Sequence, residues 1–391
     1  MNRPLALLGA TPAFPAGLPF ARPAAPALTD VVARLAPSYS TGTLTNGPLV
    51  RELEQRAADR IGVRHVVAVS SCTTGLMLAL QAAVTRPGPV LMPSFTFAAT
   101  AHAAAWNGRD PRFAECRADL LLDTDDAATR ASGSAALVGT HMFGAPCHPE
   151  QVEAIGAAHD LPVVFDAAHA FGARRGDRAV GGFGLAEVFS MSPTKPLVAG
   201  EGGLVATDDD DVAEHVRVGR DYGNPGTYDT TFVGLNARLS ELHAAVALES
   251  LARLDEHLAQ RAALVARYTE LLAAVPGVTP QQVAQEDLST HKVFSVIVDE
   301  TVFGVSRDTL ALALRAEGVD TRTYFSPPVH RHAAYSHLDA VDLPVTDLVA
   351  SRVLSLPMWR DLDERSIATV VDLIARVGEH ADRLAHWRRS A

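Results

Sequence analysis

The chain has 391 residues, 48% hydrophobic and 20% charged, a balance that fits a large globular core with a smaller companion domain. Its formal charge of −11 argues against a general nucleic-acid binder, because affinity for phosphate backbones needs a basic surface. No window of about 18 uninterrupted apolar residues occurs, so no membrane-spanning helix and no membrane partner are expected.

Along the chain, residues 1–28 carry a short apolar run broken by Pro4, Pro12, Pro15 and Pro19, which reads as a meandering arm rather than a signal peptide. From about His65, strand-like runs alternate with helical stretches, the pattern of a mainly parallel α/β sheet. The runs 65–70, 90–92, 136–141, 163–165, 187–191 and 203–207 read as strands. Stretches 71–84, 95–106, 149–159 and 211–222 read as helices. Between 237 and 274, Leu239, Leu242, Val246, Leu251, Leu254, Leu258, Val265, Tyr268 and Leu272 recur at helical spacing, giving two helices or one bent helix. Beyond Pro276 a strand at 293–298, a helix at 307–317, an extended stretch at 319–324 and a last helix at 364–377 suggest a small α+β unit. The expected architecture is α/β. An arm spans 1–41, and a large domain over 42–250 holds a mainly parallel mixed sheet flanked by helices. A linker helix and a smaller α+β domain fill 251–391.

Three cysteines, Cys72, Cys116 and Cys147, are odd in number and lack metal-type clustering, as expected of buried thiols in a reducing, cytoplasmic setting. His330 and His332 lie two apart in a Pro-rich loop with no third ligand, so no metal site is expected. The lysine usage says more. Of the 34 basic residues only Lys195 and Lys292 are lysines. Arginine serves wherever a positive charge suffices, but its guanidinium stays protonated and cannot act as a neutral amine nucleophile.

Lys195 lies in Ser190-Met191-Ser192-Pro193-Thr194-Lys195-Pro196, after a strand and before Gly200-Glu201-Gly202-Gly203. A Schiff-base lysine needs such a stiffened loop close to backbone, although loop lysines are also commonly solvent-facing. Asp166 ends the run Pro162-Val163-Val164-Phe165. Ligands of open α/β sheets lie outside the carboxyl ends of strands, and a strand-end aspartate can equally cap a helix. His169 follows three residues on. Ser70-Ser71-Cys72-Thr73-Thr74-Gly75 joins a strand to a helix and suits a phosphate, or simple N-capping by Ser71 or Thr73. Ser190 can add a hydroxyl to the same anion.

In combination these elements are more specific, and the chain resembles the DegT/DnrJ/StrS group of sugar aminotransferases of pyridoxal-5′-phosphate (PLP) fold type I. The resemblance runs from about Gly42 to the final helix. It rests on Thr43-Leu44-Thr45-Asn46-Gly47-Pro48, the Ser71-Cys72-Thr73 turn, Pro93-Ser94-Phe95-Thr96-Phe97-Ala98-Ala99-Thr100, Phe143-Gly144 and Asp166-Ala167-Ala168-His169. Phe189-Ser190, Thr194-Lys195, Gly200-Glu201-Gly202-Gly203, Gly234-Leu235-Asn236-Ala237-Arg238 and Leu356-Pro357-Met358 complete it. The group usually has glycine where Cys72 stands and an aromatic residue where Ala237 stands.

The resemblance implies that the large domain binds PLP, with pyridoxamine 5′-phosphate as the intermediate form of the cofactor. Lys195 would hold it covalently and move the reacting proton, with Asp166 at the pyridine nitrogen and Phe97 stacked on the ring. Cys72, Thr73 and Ser190 would hold the phosphate, and His169 would lie over the ring near O3′. Asn236 would reach the phosphate of a neighbouring subunit's cofactor, making a homodimer with shared sites. Tyr222, Lys292, Tyr324 and His330 match positions that line a sugar-nucleotide cleft. The implied reaction moves an amine from L-glutamate to a nucleotide-linked keto-sugar. The stretches around Lys195 and Arg220-Asp221-Tyr222-Gly223-Asn224-Pro225-Gly226 look most like the 4-aminotransferases of deoxysugar antibiotic pathways. A 3-keto-sugar or cyclitol-ketone acceptor, or a PLP-binding module without turnover, are the rival readings.

Overall fold

The structure, a computed structural model, describes residues 4–384. Seven strands form the central sheet: β1 (His65–Val69), β2 (Val90–Pro93), β3 (Pro111–Ala114), β4 (Ala136–Thr140), β5 (Val163–Asp166), β6 (Ala186–Ser190) and β7 (Gly203–Thr207). Their spatial order is β1-β7-β6-β5-β4-β2-β3. All neighbours pair in parallel except β7, which runs antiparallel to both β1 and β6. The strands are buried on both faces and therefore read as continuous apolar runs rather than alternating ones. β3 escapes a reading by pattern, being four residues long, led by a proline and placed at the sheet edge, where a missing N–H is tolerated.

The helix Cys72–Ala83 crosses one face of the sheet. Gly75 lets it come close, since a Cβ there would stand 2.7 Å from Val188 and 3.1 Å from Val69 and Val205 side-chain atoms. The stretch expected to be helical from 95 turns helical only at Ala98. Phe95 is instead buried against Phe143 and Phe325, within a bend over residues 94–96 that leads to an extended Phe97. The amphipathic stretch after 237 is two helices, Glu241–Ala252 and Leu254–Leu272, broken at Arg253.

A second, antiparallel sheet of Val278–Pro280, Phe294–Val298 and Val353–Leu356 packs against Leu254–Leu272, Arg307–Ala316 and Glu364–Glu379. Its core centres on Tyr268, which stacks on Phe294 at 4.6 Å and donates its hydroxyl to the Pro357 carbonyl at 2.9 Å. Leu5 and Leu18 of the N-terminal arm belong to this same core, whereas the helix Leu28–Ser40 packs on Glu241–Ala252 beside Pro48–Ile61. No helix among the described residues is long and apolar enough to cross a membrane.

One buried carboxylate ties these segments together. Glu241 is fully buried and accepts from the amides of Gly47, Leu49 and Val50 at 2.9–3.0 Å and from the Ser38 hydroxyl at 2.7 Å. It thus serves as a distant cap for the helix Pro48–Ile61, whose first amides have no partner within the helix. Glu241→Ala strands those donors in the interior. We expect it to cost about 3 kcal/mol and to lower the thermal unfolding midpoint, with little change for a surface control such as Glu270→Ala.

Candidate active site

A cavity of about 350 Å³ opens at the carboxyl ends of β4, β5 and β6, beside the start of β7. Among its lining residues are Cys72, Thr73, Phe97, Asp166, His169, Ser190, Lys195, Lys292 and Tyr324. Both lysines of the chain therefore face one space.

Asp166 is the last residue of β5, the central strand of the seven, and is buried. Its Oδ2 accepts from the Thr100 hydroxyl at 2.7 Å and its Oδ1 from the Ala168 amide at 3.1 Å. Thr100 in turn sits 2.8 Å from the Thr96 hydroxyl, which lies 3.4 Å from that of Thr140. The carboxylate is thus oriented by a short hydroxyl relay from the helix Ala98–Trp106, and stays an acceptor toward the cavity. Thr100 was not nominated from sequence. The signal for it is the pair Thr96 and Thr100, four apart across the start of that helix.

Lys195 projects from the loop between β6 and β7. The Met191 amide bonds the Gly202 carbonyl at 2.9 Å, Ala199 N–H bonds Met191 O at 2.8 Å, and the Lys195 amide closes a turn onto Ser192 O at 3.0 Å. The Ser250 hydroxyl accepts from the Val198 amide at 3.0 Å, pinning the loop to the helix Glu241–Ala252. Burial lowers the Lys195 pKa, opposed by the nearby Asp166 carboxylate, and so favours the neutral amine that nucleophilic chemistry requires.

At the start of Cys72–Ala83, Ser71 is the N-cap, accepting from the Thr74 amide at 3.1 Å within a capping box. Capping uses the Ser71 hydroxyl and leaves the first amides of the helix, those of Cys72 and Thr73, pointing to the cavity as an anion site. Gly203 permits this approach, since a Cβ there would stand 2.7 Å from Cys72 N. The Cys72 thiol faces the Val188 carbonyl at 3.6 Å, and burial, with Asp166 nearby, pushes its pKa well up. It is an uncharged packing group.

His169 lies against Phe143, ring centroids 6.0 Å apart at 23°. Burial, then Lys195 and Lys292, push its pKa well below the ordinary value, so the imidazole is neutral. Its carbonyl takes the Thr290 hydroxyl, and the Lys292 amide donates to Phe143 O at 2.9 Å. Beneath, the fully buried His141 meets Glu187 at 3.0 Å and accepts from Cys147 N–H at 3.1 Å. This fixes the 141–147 segment that carries Phe143.

Three nominated residues lie outside the cavity. Tyr222 and Asn236 are exposed on the 222–236 segment, beside Arg238, which lies over the Tyr222 ring and within 3.2 Å of Asn236 Oδ1. His330 is turned behind β2, its Nδ1 2.6 Å from the Ser94 hydroxyl and its Nε2 3.3 Å from Asp347. Its apolar neighbour Phe113 and its bond to Ser94 hold it away from the site. No group of three potential metal ligands occurs among the described residues.

The donor set fits PLP: helix-end amides and hydroxyls for a phosphate, a buried carboxylate for a ring nitrogen, and a lysine with a lowered pKa for an aldehyde. The profile of the DegT/DnrJ/EryC1/StrS aminotransferase family matches residues 29–375. Among solved structures, DesI, determined with its TDP-sugar product, is 38% identical over 98% of this chain and 99% of its own, with a TM-score of 0.93. DesV of S. venezuelae is 31% identical over 93% and 99%, TM-score 0.85. The sugar aminotransferase CalS13 of Micromonospora echinospora is 30% identical over 91% and 99%, TM-score 0.84. The chain thus belongs to the DegT/DnrJ/EryC1/StrS family, PLP-dependent aminotransferases of fold type I.

Proposed function

We propose that this aminotransferase moves the amino group of L-glutamate to a nucleotide-linked keto-sugar, with thymidine-diphosphate-linked 4-keto-6-deoxyglucose as acceptor, in the making of a deoxyaminosugar. The observation that carries the acceptor class is Lys292. It is buried, faces the cavity, and has no carboxylate partner among the described residues; its one described side-chain contact is the Tyr324 ring at 5.8 Å. An uncompensated amine in such a place suits an anionic ligand such as a diphosphate. The likeness to DesI, solved with a TDP-sugar product, supports the nucleotide and sugar.

Bound PLP supplies an electron sink for the carbon that carries the amine. The chain's residues do the rest. Asp166, oriented by Thr100, keeps a proton on the ring nitrogen. The Cys72 and Thr73 amides with Ser190 bind the phosphate, and Phe97 covers the ring. Lys195 Nζ would remove the proton from Cα of glutamate; the amino group would pass to the cofactor, and water would supply the keto oxygen of the departing 2-oxoglutarate. Lys195 later delivers a proton to the former carbonyl carbon of the sugar. Neutral His169, which lines the cavity, would face the ring without adding positive charge. Tyr324 and Lys292 face the sugar nucleotide.

The unit is a homodimer in this reading. Asn236 and Tyr222 are exposed on a segment that also exposes Tyr228 and Val233, and Tyr39, Leu44 and Leu242 expose further apolar surface. A second copy covering these would receive Asn236 at its phosphate site. His330 is left out of the proposal because Ser94 engages it.

Holoenzyme treated with L-glutamate and then freed of amino acid should regain its visible absorption on addition of thymidine-diphosphate-4-keto-6-deoxyglucose. Loss with glutamate and no return with that ketone would keep the donor and overturn the acceptor. Lys195→Arg should show no lysine-bound cofactor absorption and no turnover; normal turnover in that variant would overturn the assignment of Lys195. Burial, then Lys195 and Arg261, bring the Lys292 pKa down to about 7. Below that pH its amine is protonated and unreactive, and above it neutral. Acetylation of Lys292 in cofactor-free protein, followed by mass spectrometry, should therefore rise through about pH 7 instead of near 10.4.

A further inference from the structure

The family profile begins at residue 29, and the structure packs the arm before it behind the wall of the active site. The Ala6 and Ala13 amides donate to the buried Glu317 carboxylate at 2.7 and 2.9 Å. Leu18 forms a parallel bridge with Val319, its amide bonding Gly318 O at 2.7 Å and its carbonyl receiving the Asp320 amide at 3.0 Å. Gly318 is needed for this contact, because its φ is +84° and a Cβ would stand 2.1 Å from Phe14 O.

The chain then delivers Phe20. Its ring is 8% exposed, its carbonyl accepts from the Met358 amide at 3.1 Å, and its edge meets Tyr324 at 5.8 Å and 82°. Arg322, paired with Asp320, lies 5.3 Å over the same ring. Beyond it, Phe20 and Arg22 face Thr194 and Lys292 across a crevice of about 10 Å³, space for about one water and no ligand. Thr194, Lys292 and Tyr324 also line the main cavity. The arm therefore backs the side of the cavity where Thr194, Lys292 and Tyr324 stand.

We propose that Phe20 is a positioning residue for acceptor recognition: packed between Arg322 and Tyr324, it sets the Tyr324 ring and shields Lys292, and so tunes which keto-sugar is taken. This rests on the acceptor reading above. Glutamate lacks the nucleotide that Tyr324 and Lys292 would meet, so residue 20 is expected to act mainly on the acceptor half-reaction.

The test uses holoenzyme of Phe20→Ala and Phe20→Leu, with thermal unfolding to show that each folds. In Phe20→Ala the glutamate step should stay within about twofold, while KM for thymidine-diphosphate-4-keto-6-deoxyglucose rises on the order of tenfold with kcat little changed. Phe20→Leu should recover most of the loss. Independently of any acceptor, acetylation of Lys292 in cofactor-free Phe20→Ala should be faster than in the parent protein at pH 7. Unchanged KM with unchanged labelling would overturn the proposal, as would equal losses in both half-reactions. Should the parent protein fail to use that ketone, the acceptor assignment falls, and the labelling rate alone decides for or against the wall.

Discussion

Two amines share one cavity with one buried carboxylate, Asp166, and one exposed one, Glu201, and a third cation, Arg261, stands behind Lys292 with its guanidinium given to the carbonyls of His291 and Lys292. Such a site is short of negative charge, and low-dielectric surroundings make that shortage costly. The protein meets it by lowering the pKa of both amines and by keeping His169 neutral. The same shortage prepares the cavity for anions. A cofactor phosphate at the helix end and an anionic substrate near Lys292 complete the charge balance that the chain leaves open.

The polar groups around the cavity are ordered by partners drawn from separate parts of the sequence. Asp166 takes Thr100, His141 takes Glu187, Ser250 receives the lysine loop, and Glu241 gathers the 47–50 amides. Each is buried and satisfied, which is the condition for a polar group to add rigidity rather than cost. Preorganisation of this kind is what a proton transfer at a fixed carbon needs.

Much of this was legible in the sequence. Apolar runs such as Val66–Val69 and Val163–Phe165 can only be buried strands, and residues that close such strands, Asp166 and Ser190, fall at the ligand end of the sheet by topology alone. The scarcity of lysine singled out Lys195 and Lys292 before any contact was known. Other features depend on tertiary partners that no local pattern encodes. Tyr222, Asn236 and His330 matched a family position, yet whether a side chain faces its own cavity is decided by packing, such as the Ser94 bond that turns His330 aside. The short helices Thr124–Arg130 and Pro344–Arg352 offer too few turns for periodicity to register. The arm looked detached because prolines break its pattern, while its anchors, Glu317 and Gly318, lie some 300 residues away.

The reversed strand β7 has a consequence for how the site comes together. Because it runs against β6, the segment carrying Lys195 is a hairpin, and its ladder from Glu187–Ala206 to Ser190–Gly203 pairs residues close in sequence. Asp166 is held by crossovers instead, with neighbours at Thr140 and Val188 and its hydroxyl partner at Thr100. Pairings of short sequence separation cost less closure entropy and form sooner. The amine is in that sense the locally specified half of the chemistry, and the carboxylate is the half that waits for the rest of the fold.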